Sequence, residues 1–553
     1  MYLEEANFIS QSTRSLAEKT PVILPEKYYL DYFNYLIDFV ERHYEHVLDT
    51  PEYLFIQHFQ SLSEDAKCLY LRFSNRKGDF FRISKVEYKE ITDLESAKLE
   101  LLTESFIDIN QSLDPLQFRL FTKAELVATY DFLEKKHRKE ELLLELTEED
   151  IPALFEREEI AEVKMNQEVE FLKLLFFGNR YHQMTEFVIR DVGNVKLRTL
   201  DESRFKPWFE TRQDALGIMH ISQLKRMIRD IMQTDLPLQD FLDEMPWNEW
   251  LGLQKSKEAA SKLLVEIGAH FERTDNPEEA LKFYRLTGKP PANERKIRLL
   301  EKLGSKEEAI QCAEYLVNNP TNAAELTFAT DFLNRSGIRI NRSMTKRLQS
   351  APTIELVNTN SRVEQQVLDY FQNQGWNGIH GENFIWRSIF GLVFWEELFD
   401  QAFGAFHHPL QRQPSDLHEE SFYQSRKELL QKRLNSFRSR KSFITYLHKV
   451  HEENQGISNR FVSWFDELLP LSETIVHLLP LKGLKNVLLE IAKQTKENST
   501  GFPDLFLWNA TDYQFYEVKS PNDHLSAQQL FWLDFLSSSG IKADIIRVKY
   551  LNE

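Results

Sequence analysis

The chain has 553 residues, of which 42% are hydrophobic and 28% are charged, and its formal net charge is −18. This length suggests three or four domains, and the composition excludes a collagen-like, low-complexity or wholly disordered protein. No apolar run reaches the roughly 18 residues of a membrane span, and the N-terminus has neither the basic start nor the apolar stretch of a signal peptide. We therefore expect a soluble intracellular protein that does not contact a membrane.

The two cysteines, Cys68 and Cys312, lie far apart and form no CxxC pair. This excludes a zinc site built on thiolates and argues against a disulfide framework, so we expect two buried thiols.

The acidic net charge argues at first against a nucleic-acid partner. The charge is unevenly distributed, however. Residues 140–162 hold ten Asp or Glu and only one Arg, whereas residues 421–450 hold eight Lys or Arg and only one Glu. A basic binding face is therefore compatible with an acidic chain.

Most of the chain predicts helix, because apolar residues recur at spacings of three and four and glycine is scarce. Residues 1–70 predict aromatic-rich helices. Residues 68–91 alternate aromatic and basic residues around Lys77-Gly78-Asp79 and predict a basic hairpin. A DNA-backbone contact and a solvated surface explain this segment equally well. Its candidate DNA-binding residues are Arg72, Arg76, Lys77, Arg82 and Lys85.

Residues 116–146 predict two short helices around a basic turn that includes Lys135 and Lys136. The pattern resembles a SAP-type helix–turn–helix, a small DNA-binding module, so both lysines are further candidates for DNA contact.

Residues 255–345 predict a helical repeat, because the segment 277–281 recurs in kind at 306–310, 29 residues later. The period is shorter than that of a tetratricopeptide (TPR) repeat, so the segment is TPR-like. Such a solenoid shapes a concave surface or joins domains and is a candidate surface for a protein partner. Residues 349–361 are polar, carry no amphipathic helical pattern and predict a domain boundary.

The last 50 residues differ from the rest of the chain. Residues 502–508 predict a buried strand, residues 509–512 a turn, and residues 514–519 a returning strand. Side chains alternate across a strand, so Glu517 and Lys519 share one face and Val518 points into the core. The hairpin therefore faces Asp504 toward Glu517 and Lys519.

Two facing carboxylates repel each other unless a cation lies between them, and hard divalent metals prefer oxygen ligands. Asp504, Glu517 and the carbonyl of Val518 are candidate metal ligands. Lys519 is then a candidate to orient or deprotonate the attacking water, or to offset charge on a phosphate in the transition state. After the hairpin, Ser526 and Gln529 have the spacing of a capping box that opens a helix. Gln529 is either a catalytic residue that reaches the phosphate or water, or only a cap.

These motifs resemble the PD-(D/E)xK signature of VRR-NUC nucleases, and specifically a bacterial form of the Fanconi-associated nuclease family. The resemblance is strong over residues 361–553 and looser over residues 68–360. The matching segments are 501–505, 516–519, 521–523 and 526–533, with further agreement at 378–382, 390–395 and 421–434.

The resemblance implies a metal-dependent DNA nuclease that cuts 5′ flaps, acts as a 5′-to-3′ exonuclease and works in interstrand crosslink repair. Its substrate is branched or flapped DNA and its cofactor is Mg²⁺ or Mn²⁺. The resemblance implies that Glu382 is a further metal ligand, on a helix. We interpret His380 as structural and Glu396 and Glu397 as helix surface. Basic residues of the nuclease region complete the candidate DNA contacts: Arg426, Lys427, Arg433, Arg438, Arg440 and Lys441.

One position departs from the family pattern. Some members carry a basic residue immediately before the motif glutamine, where it helps bind a 5′ phosphate, but this chain has Gln528. We therefore expect no strict need for a 5′ phosphate.

The fold expected is mainly α and multidomain, with a C-terminal α/β PD-(D/E)xK nuclease domain. We place an N-terminal helical domain with a basic hairpin at 1–115, a SAP-like region and helical linker at 116–250, TPR-like repeats at 251–348 and the nuclease domain at 361–553. A Holliday-junction resolvase and a TPR scaffold with a decayed nuclease are the alternative functions. We expect a cytoplasmic, nucleoid-associated protein in a bacterium, or a nuclear one in a eukaryote.

Overall fold

The computed structural model describes residues 23–551, apart from residues 77, 180–183, 194, 233–237, 340–347, 349, 360 and 521–522. Lys77 of the expected basic hairpin therefore lies outside the described residues, as do Pro521 and Asn522 of the C-terminal motif.

The N-terminal part is helical, as its apolar spacing predicts, and is interrupted by three short strands. Capping explains several of the helix starts: Asp49, for example, begins the second helix in a capping box with Glu52. The helices are α1 (Tyr28–Tyr44), α2 (Thr50–Ser61), α3 (Glu64–Ser74), α4 (Leu94–Thr103), α5 (Lys123–Thr129), α6 (Lys139–Leu144), α7 (Pro152–Phe155), α8 (Asn166–Phe177), α9 (Thr185–Asp191) and α10 (Arg212–Ile231). The strands are β1 (Phe80–Arg82), β2 (Ile107–Ile109) and β3 (Ile160–Val163).

The prediction of a basic hairpin at residues 68–91 is wrong. The segment contains the end of α3 and a single strand, β1, whose antiparallel partner is β3, much later in the chain. Strand β2 pairs with the other edge of β3. The aromatic residues that suggested a hairpin are instead buried: Phe80 packs toward the SAP-like region and Phe81 stacks on Phe73 of α3.

The two short helices expected in residues 116–146 are present as α5 and α6. Leu126 and Leu142, one from each helix, are completely buried in a small core of their own that also includes Phe118 and Ile151. The basic turn between the helices is exposed, including Lys135 and Lys136.

The repeat region is a series of packed helices: α11 (Gln239–Asp243), α12 (Trp247–Gly252), α13 (Ser256–Arg273), α14 (Pro277–Arg285), α15 (Ala292–Lys302), α16 (Lys306–Asn318) and α17 (Ala323–Arg335). Helices α14 and α16 begin where the recurring segments begin. Small residues allow close approach, since a Cβ placed on Gly268 would lie 2.6 Å from the ring of Tyr284. These helices enclose a separate hydrophobic core.

The C-terminal part is built on a five-stranded sheet, β4 (Thr353–Leu356), β5 (Asn377–His380), β6 (Leu505–Trp508), β7 (Tyr513–Lys519) and β8 (Ala543–Tyr550), in the order β4-β8-β7-β6-β5. Its helices are α18 (Val363–Gln372), α19 (Phe384–Val393), α20 (Trp395–Leu398), α21 (Glu420–Ser436), α22 (Arg440–Asn454), α23 (Leu468–Leu478), α24 (Leu481–Lys493) and α25 (Ala527–Ser538).

The boundary expected at residues 349–361 is not a plain linker, because it contains β4. This strand pairs in parallel with β8 and so belongs to the sheet of the nuclease region. The sheet order and its mixed pairing agree with the α/β architecture expected for this part of the chain.

The N-terminal helices and the C-terminal region share one hydrophobic core, which fixes the sheet relative to the rest of the protein. Aromatic contacts cross between the two parts: Trp208 stacks on His407 with ring centroids 5.1 Å apart, and Phe176 lies 5.4 Å from His408. In the part of the chain that the structure describes, no helix is both long and apolar enough to cross a bilayer.

Candidate nuclease site

The expected C-terminal hairpin is present as β6 and β7, which pair antiparallel with Leu505 opposite Tyr516. Val518 is buried in the core beneath the sheet, while Glu517 and Lys519 lie on the opposite face. Asp504 immediately precedes β6, and its Oδ2 accepts a hydrogen bond of 2.8 Å from the main-chain N–H of Val518. Strand alternation therefore brings Asp504 and Glu517 together, as the sequence predicts.

Both carboxyl groups are held in an environment that disfavours their negative charge. Burial, followed by the charge of Glu517, raises the pKa of Asp504 well above its usual range. Burial raises the pKa of Glu517 to about 7, although the neighbouring Lys519 opposes this shift. The repulsion expected between the two acids is thus present, and a divalent cation would relieve it.

The burial and the contacts of Glu517 are those expected of a metal ligand. Glu517 is only 1% exposed. Lys519 Nζ lies 2.9 Å from Glu517 Oε1, yet both carboxylate oxygens are buried without a well-directed hydrogen bond. A buried carboxylate without hydrogen bonds is costly unless a cation or water completes it. The donor set therefore fits an oxygen-loving divalent metal.

Gln529 forms the expected capping box with Ser526, and its side chain also contacts Lys519. Ser526 Oγ accepts from the N–H of Gln529 at 3.2 Å, and Gln529 Oε1 accepts from the N–H of Ser526 at 2.9 Å. The same Oε1 also accepts from Lys519 Nζ at 3.1 Å. Gln529 is therefore both a helix cap and a positioning residue for the lysine.

Glu382 is not on a helix, contrary to our expectation. It lies in the turn between β5 and α19, with a positive φ of 33°. The main-chain N–H groups of Gly381 and Glu382 donate to the carbonyl oxygen of Asp504 at 2.8 and 3.1 Å, so this turn is joined directly to the site. The Glu382 side chain is exposed. Among the described residues, no three His, Cys, Asp or Glu side chains are close enough together to hold one metal ion.

Two residues near the site were not expected from the sequence. Asn383 Oδ1 accepts from the N–H of Phe502 at 3.2 Å and its Nδ2 donates to Glu382 Oε1 at 3.3 Å, so it ties the turn to the segment before Asp504. Glu364, in the first turn of α18, adds to the negative field on both Asp504 and Glu517. Its sequence signal was the helical spacing that it shares with the buried Val367 and Leu368.

Glu397 is also placed differently from our expectation of helix surface. It is 7% exposed, and its Oε1 accepts a hydrogen bond of 2.7 Å from Arg433 Nε. Glu396, by contrast, is exposed and pairs with Arg198 at 3.2 Å. His380 lies in β5, opposite Leu505.

The prediction of DNA contact is wrong for Arg426, whose side chain is 0% exposed. It pairs with Asp416 at 2.7 Å and lies over the rings of Phe403 and Phe422. An arginine enclosed in this way stabilises the protein rather than a phosphate.

Four other predicted DNA contacts are already engaged by protein groups. Arg72 bonds Glu90 at 2.8 Å and Arg82 bonds both Glu125 and Glu158. Arg433 bonds Glu397, and Arg440 donates to the carbonyls of Val476, His477 and Leu479 at the end of α23. These four side chains therefore form contacts within the folded protein. Arg440 is itself exposed. The other exposed basic candidates are Arg76, Lys85, Lys135, Lys136, Lys427, Arg438 and Lys441, of which Lys136 pairs with Glu134 at 2.5 Å.

Gln528 is half-buried against the loop that leads to Asp504. Gly501 has a φ of +84°, and a Cβ placed there would lie 2.6 Å from Gln528 Cγ. The Gln528 amide donates to Asn498 Oδ1 at 3.4 Å. Gln528 therefore places a neutral amide, and no cation of its own, beside this loop.

Comparisons with known proteins agree with this site. The family model for the VRR-NUC domain matches residues 440–550, and the model for the FAN1 HTH domain matches residues 27–108. The second match falls on α1 to α4, which the sequence did not mark as a helix–turn–helix.

A Fanconi-associated nuclease 1 homolog from Pseudomonas aeruginosa is 29% identical over 95% of this chain and 97% of its own length. One from rice is 24% identical over 93% of this chain, which spans 62% of that relative's length. A crystal structure described as paFAN1 bound to 2nt 5′ flap DNA with gap superposes with a TM-score of 0.85 at 27% identity, covering 96% of this chain and 100% of that one.

The sheet, the carboxylate pair and the VRR-NUC match together define a metal-dependent DNA nuclease, that is, a phosphodiesterase. The same family implies a divalent metal cofactor. Over nearly its whole length the chain is similar to the Fanconi-associated nuclease family, including a bacterial homolog.

Proposed function

We propose that this protein is a 5′-flap endonuclease and 5′-to-3′ exonuclease that uses Mg²⁺ or Mn²⁺ and acts in DNA interstrand crosslink repair. The observation that carries the proposal is the combination of the paired carboxylates with similarity, over nearly the whole chain, to a structure described as bound to 5′-flap DNA. That similarity spans both the N-terminal helices and the nuclease region, which supports a common fold on both sides of the site.

Each residue of the site has a distinct role in the proposed cleavage reaction. When bound, a divalent cation supplies the positive charge that polarises a phosphodiester. Asp504, Glu517 and the carbonyl of Val518 are the oxygen donors that would hold it. Lys519, steadied by Gln529 Oε1, presents an ammonium group that orients the attacking water or stabilises the phosphate's developing charge. Glu382 is tied to this site by its main chain and by Asn383.

The DNA-binding face that we propose uses only the exposed basic side chains. They come from three parts of the chain: Arg76 and Lys85 around β1, Lys135 and Lys136 in the SAP-like turn, and Lys427, Arg438 and Lys441 on α21, α22 and the loop between them. Phosphate neutralisation by such residues gives binding that weakens with salt.

A 5′ phosphate should not be strictly required. Gln528 gives at most an uncharged hydrogen bond, which is weaker than one from a cation. Arg426 cannot supply a cation at this position, because its side chain is buried against Asp416.

A protein partner on the TPR-like helices and a cytoplasmic, nucleoid-associated location in a bacterium complete the proposal. Holliday-junction resolution and a decayed nuclease are the competing functions. The intact set of Asp504, Glu517 and Lys519 argues against decay.

The test is cleavage of end-labelled 5′-flap, 3′-flap, fork and four-way substrates with Mg²⁺, Mn²⁺ or chelator. We expect cleavage of the 5′ flap in preference to the four-way junction, and none with chelator. Asp504→Ala should abolish cleavage while leaving flap binding intact in a gel-shift assay. Symmetrical cutting of the four-way junction as the main activity would instead identify a resolvase, and equal cleavage by Asp504→Ala would remove the site from the reaction.

A further inference from the structure

A cavity of about 360 Å³ lies at the junction of the N-terminal part and the nuclease region. One wall comes from residues between 198 and 204, which precede α10. The other comes from residues between 396 and 401, around α20, and from α21. Asp504, Glu517 and Lys519 do not line it. Its volume falls in the range of pockets that bind small molecules, roughly 300–1,000 Å³.

Contacts across the junction hold the walls of this cavity in place. The Gln401 side chain accepts a hydrogen bond from the N–H of Asp201 and donates one to its carbonyl oxygen, both at 2.9 Å. Arg198 pairs with Glu396 at 3.2 Å and lies over the ring of Phe399, 5.2 Å from its centroid. These contacts join the two parts of the chain, so the cavity is formed without a ligand.

Two buried polar atoms at this cavity have no hydrogen-bond partner among the described residues. Glu397 is 7% exposed, and its Oε1 accepts from Arg433 Nε at 2.7 Å, but its Oε2 is buried and accepts no hydrogen bond there. Arg198 Nη1 is likewise buried and donates to no acceptor. Buried polar groups are nearly always hydrogen-bonded, so both atoms are expected to bond a molecule other than the protein.

The charges around the cavity favour a ligand that is anionic at one end and donates hydrogen bonds at the other. Arg204 is exposed, and its side chain makes no hydrogen bond or ion pair with the part of the chain that the structure describes. Hydrogen bonds from Ser203, and then the charge of Arg204, lower the pKa of Asp201. The lining holds three arginines and three acidic residues, so a bare anion would also meet carboxylates.

We propose that this cavity binds a free nucleoside monophosphate, with its phosphate on Arg198 and Arg204 and an N–H or O–H group donating to Glu397 Oε2. A phosphate monoester carries a charge of about −1.5 to −2 at pH 7, which suits two guanidinium groups better than the single charge of a phosphate within a strand. The choice of ligand rests on the proposed function, because an exonuclease releases nucleotides that end in a phosphate monoester. The cavity and its unpartnered atoms do not depend on it.

The experiment is isothermal titration calorimetry of the full chain with dGMP. The buffer contains chelator and no phosphate, so that no metal ion at the nuclease site holds the nucleotide. Guanine presents amino and ring N–H donors, whereas deoxyguanosine lacks the phosphate and inorganic phosphate lacks the base. The variants are Arg204→Ala and Glu397→Gln. The matched control is Arg226→Ala, which removes an exposed arginine of α10 outside the cavity. Circular dichroism checks folding, and fluorescence anisotropy measures binding to 5′-flap DNA.

We expect the unmodified protein to bind dGMP about tenfold or more tightly than deoxyguanosine or inorganic phosphate. Arg204→Ala and Glu397→Gln should each weaken dGMP binding about tenfold, the equivalent of one hydrogen bond to a charged group. Arg226→Ala should change it by less than about twofold. If Glu397→Gln does not fold, Arg204→Ala decides alone, because it replaces an exposed side chain.

The inference is overturned if dGMP does not bind, or if it binds the unmodified protein, Arg204→Ala and Glu397→Gln equally. Weakened binding of flap DNA with unchanged binding of dGMP would also overturn it, since the cavity would then hold part of the DNA strand. Flap cleavage with Mn²⁺ tests the proposed function separately. Cleavage without dGMP binding removes this site and leaves the nuclease, and dGMP binding without cleavage does the reverse.

Discussion

Replacing Glu517 with glutamine should stabilise the metal-free protein at alkaline pH while it destroys the nuclease activity. Glu517 is 1% exposed and its pKa rises from 4.5 to about 7, with burial as the main cause. A carboxyl group with a raised pKa stabilises the folded state only while it is protonated. That contribution is complete below pH 4.5, the ordinary value, and is lost as the pH rises through about 7.

The magnitude follows from the pKa. Each tenfold change in the ionisation equilibrium corresponds to about 1.4 kcal/mol, so ionising Glu517 costs the folded protein about 3 kcal/mol more than the unfolded chain. Glutamine has nearly the same shape and carries no charge, so Glu517→Gln avoids this cost. Lys519 loses one partner but keeps Gln529 Oε1 as an acceptor. The gain at pH 8 should therefore be about 2 to 3 kcal/mol.

The assay is urea unfolding of chelated protein at pH 5 and pH 8, followed by tryptophan fluorescence. Glu517→Gln should raise the unfolding midpoint at pH 8 and leave it nearly unchanged at pH 5. Added Mn²⁺ should stabilise the unmodified protein at pH 8. It should not stabilise the variant, because Glu517→Gln removes one carboxylate ligand of the ion. Asp369→Asn, an exposed substitution on α18, controls for the loss of one negative charge.

A variant that is equally stable or less stable than the unmodified protein at pH 8 without metal would refute the reasoning. It would mean that the carboxylate pair is not under electrostatic strain and that the raised pKa of Glu517 has another origin.

Three further outcomes are expected. Neutralising Arg438 and Lys441 together should weaken flap binding, as measured by fluorescence anisotropy. The slope of log binding constant against log salt concentration should fall by about 0.9 for each lost phosphate contact. An unchanged slope would mean that both side chains are solvated and do not contact DNA. Flaps that carry a 5′ phosphate or a 5′ hydroxyl should be cut at equal rates because Gln528 is neutral, and a loss beyond tenfold on the hydroxyl form, about 1.4 kcal/mol, would reveal a phosphate pocket. Arg426→Ala should lower the free energy of unfolding by about 3 kcal/mol, because it leaves the Asp416 carboxylate without its partner. A variant of unchanged stability with weakened DNA binding would contradict the burial of Arg426.

The sequence alone determined the features that depend on neighbours along the chain. Alternation along β6 and β7 placed Glu517 and Lys519 on one face with Asp504 beside them. The spacing of Ser526 and Gln529 predicted a helix cap, although not its bond to Lys519. The recurring segments of the repeat region located the starts of α14 and α16. Each of these follows from strand or helix periodicity, which acts over a few residues.

The tertiary structure decided which distant segments meet. Only the fold pairs β1 with β3, adds β4 to the nuclease sheet and encloses Arg426, which the sequence shows merely as one cation in a basic stretch. Only the fold brings Glu364 to the carboxylate site. Periodicity states which face of an element a side chain occupies, but burial and charge balance depend on what covers that face. That choice is made by hydrophobic packing between segments far apart in the chain, which local patterns do not encode.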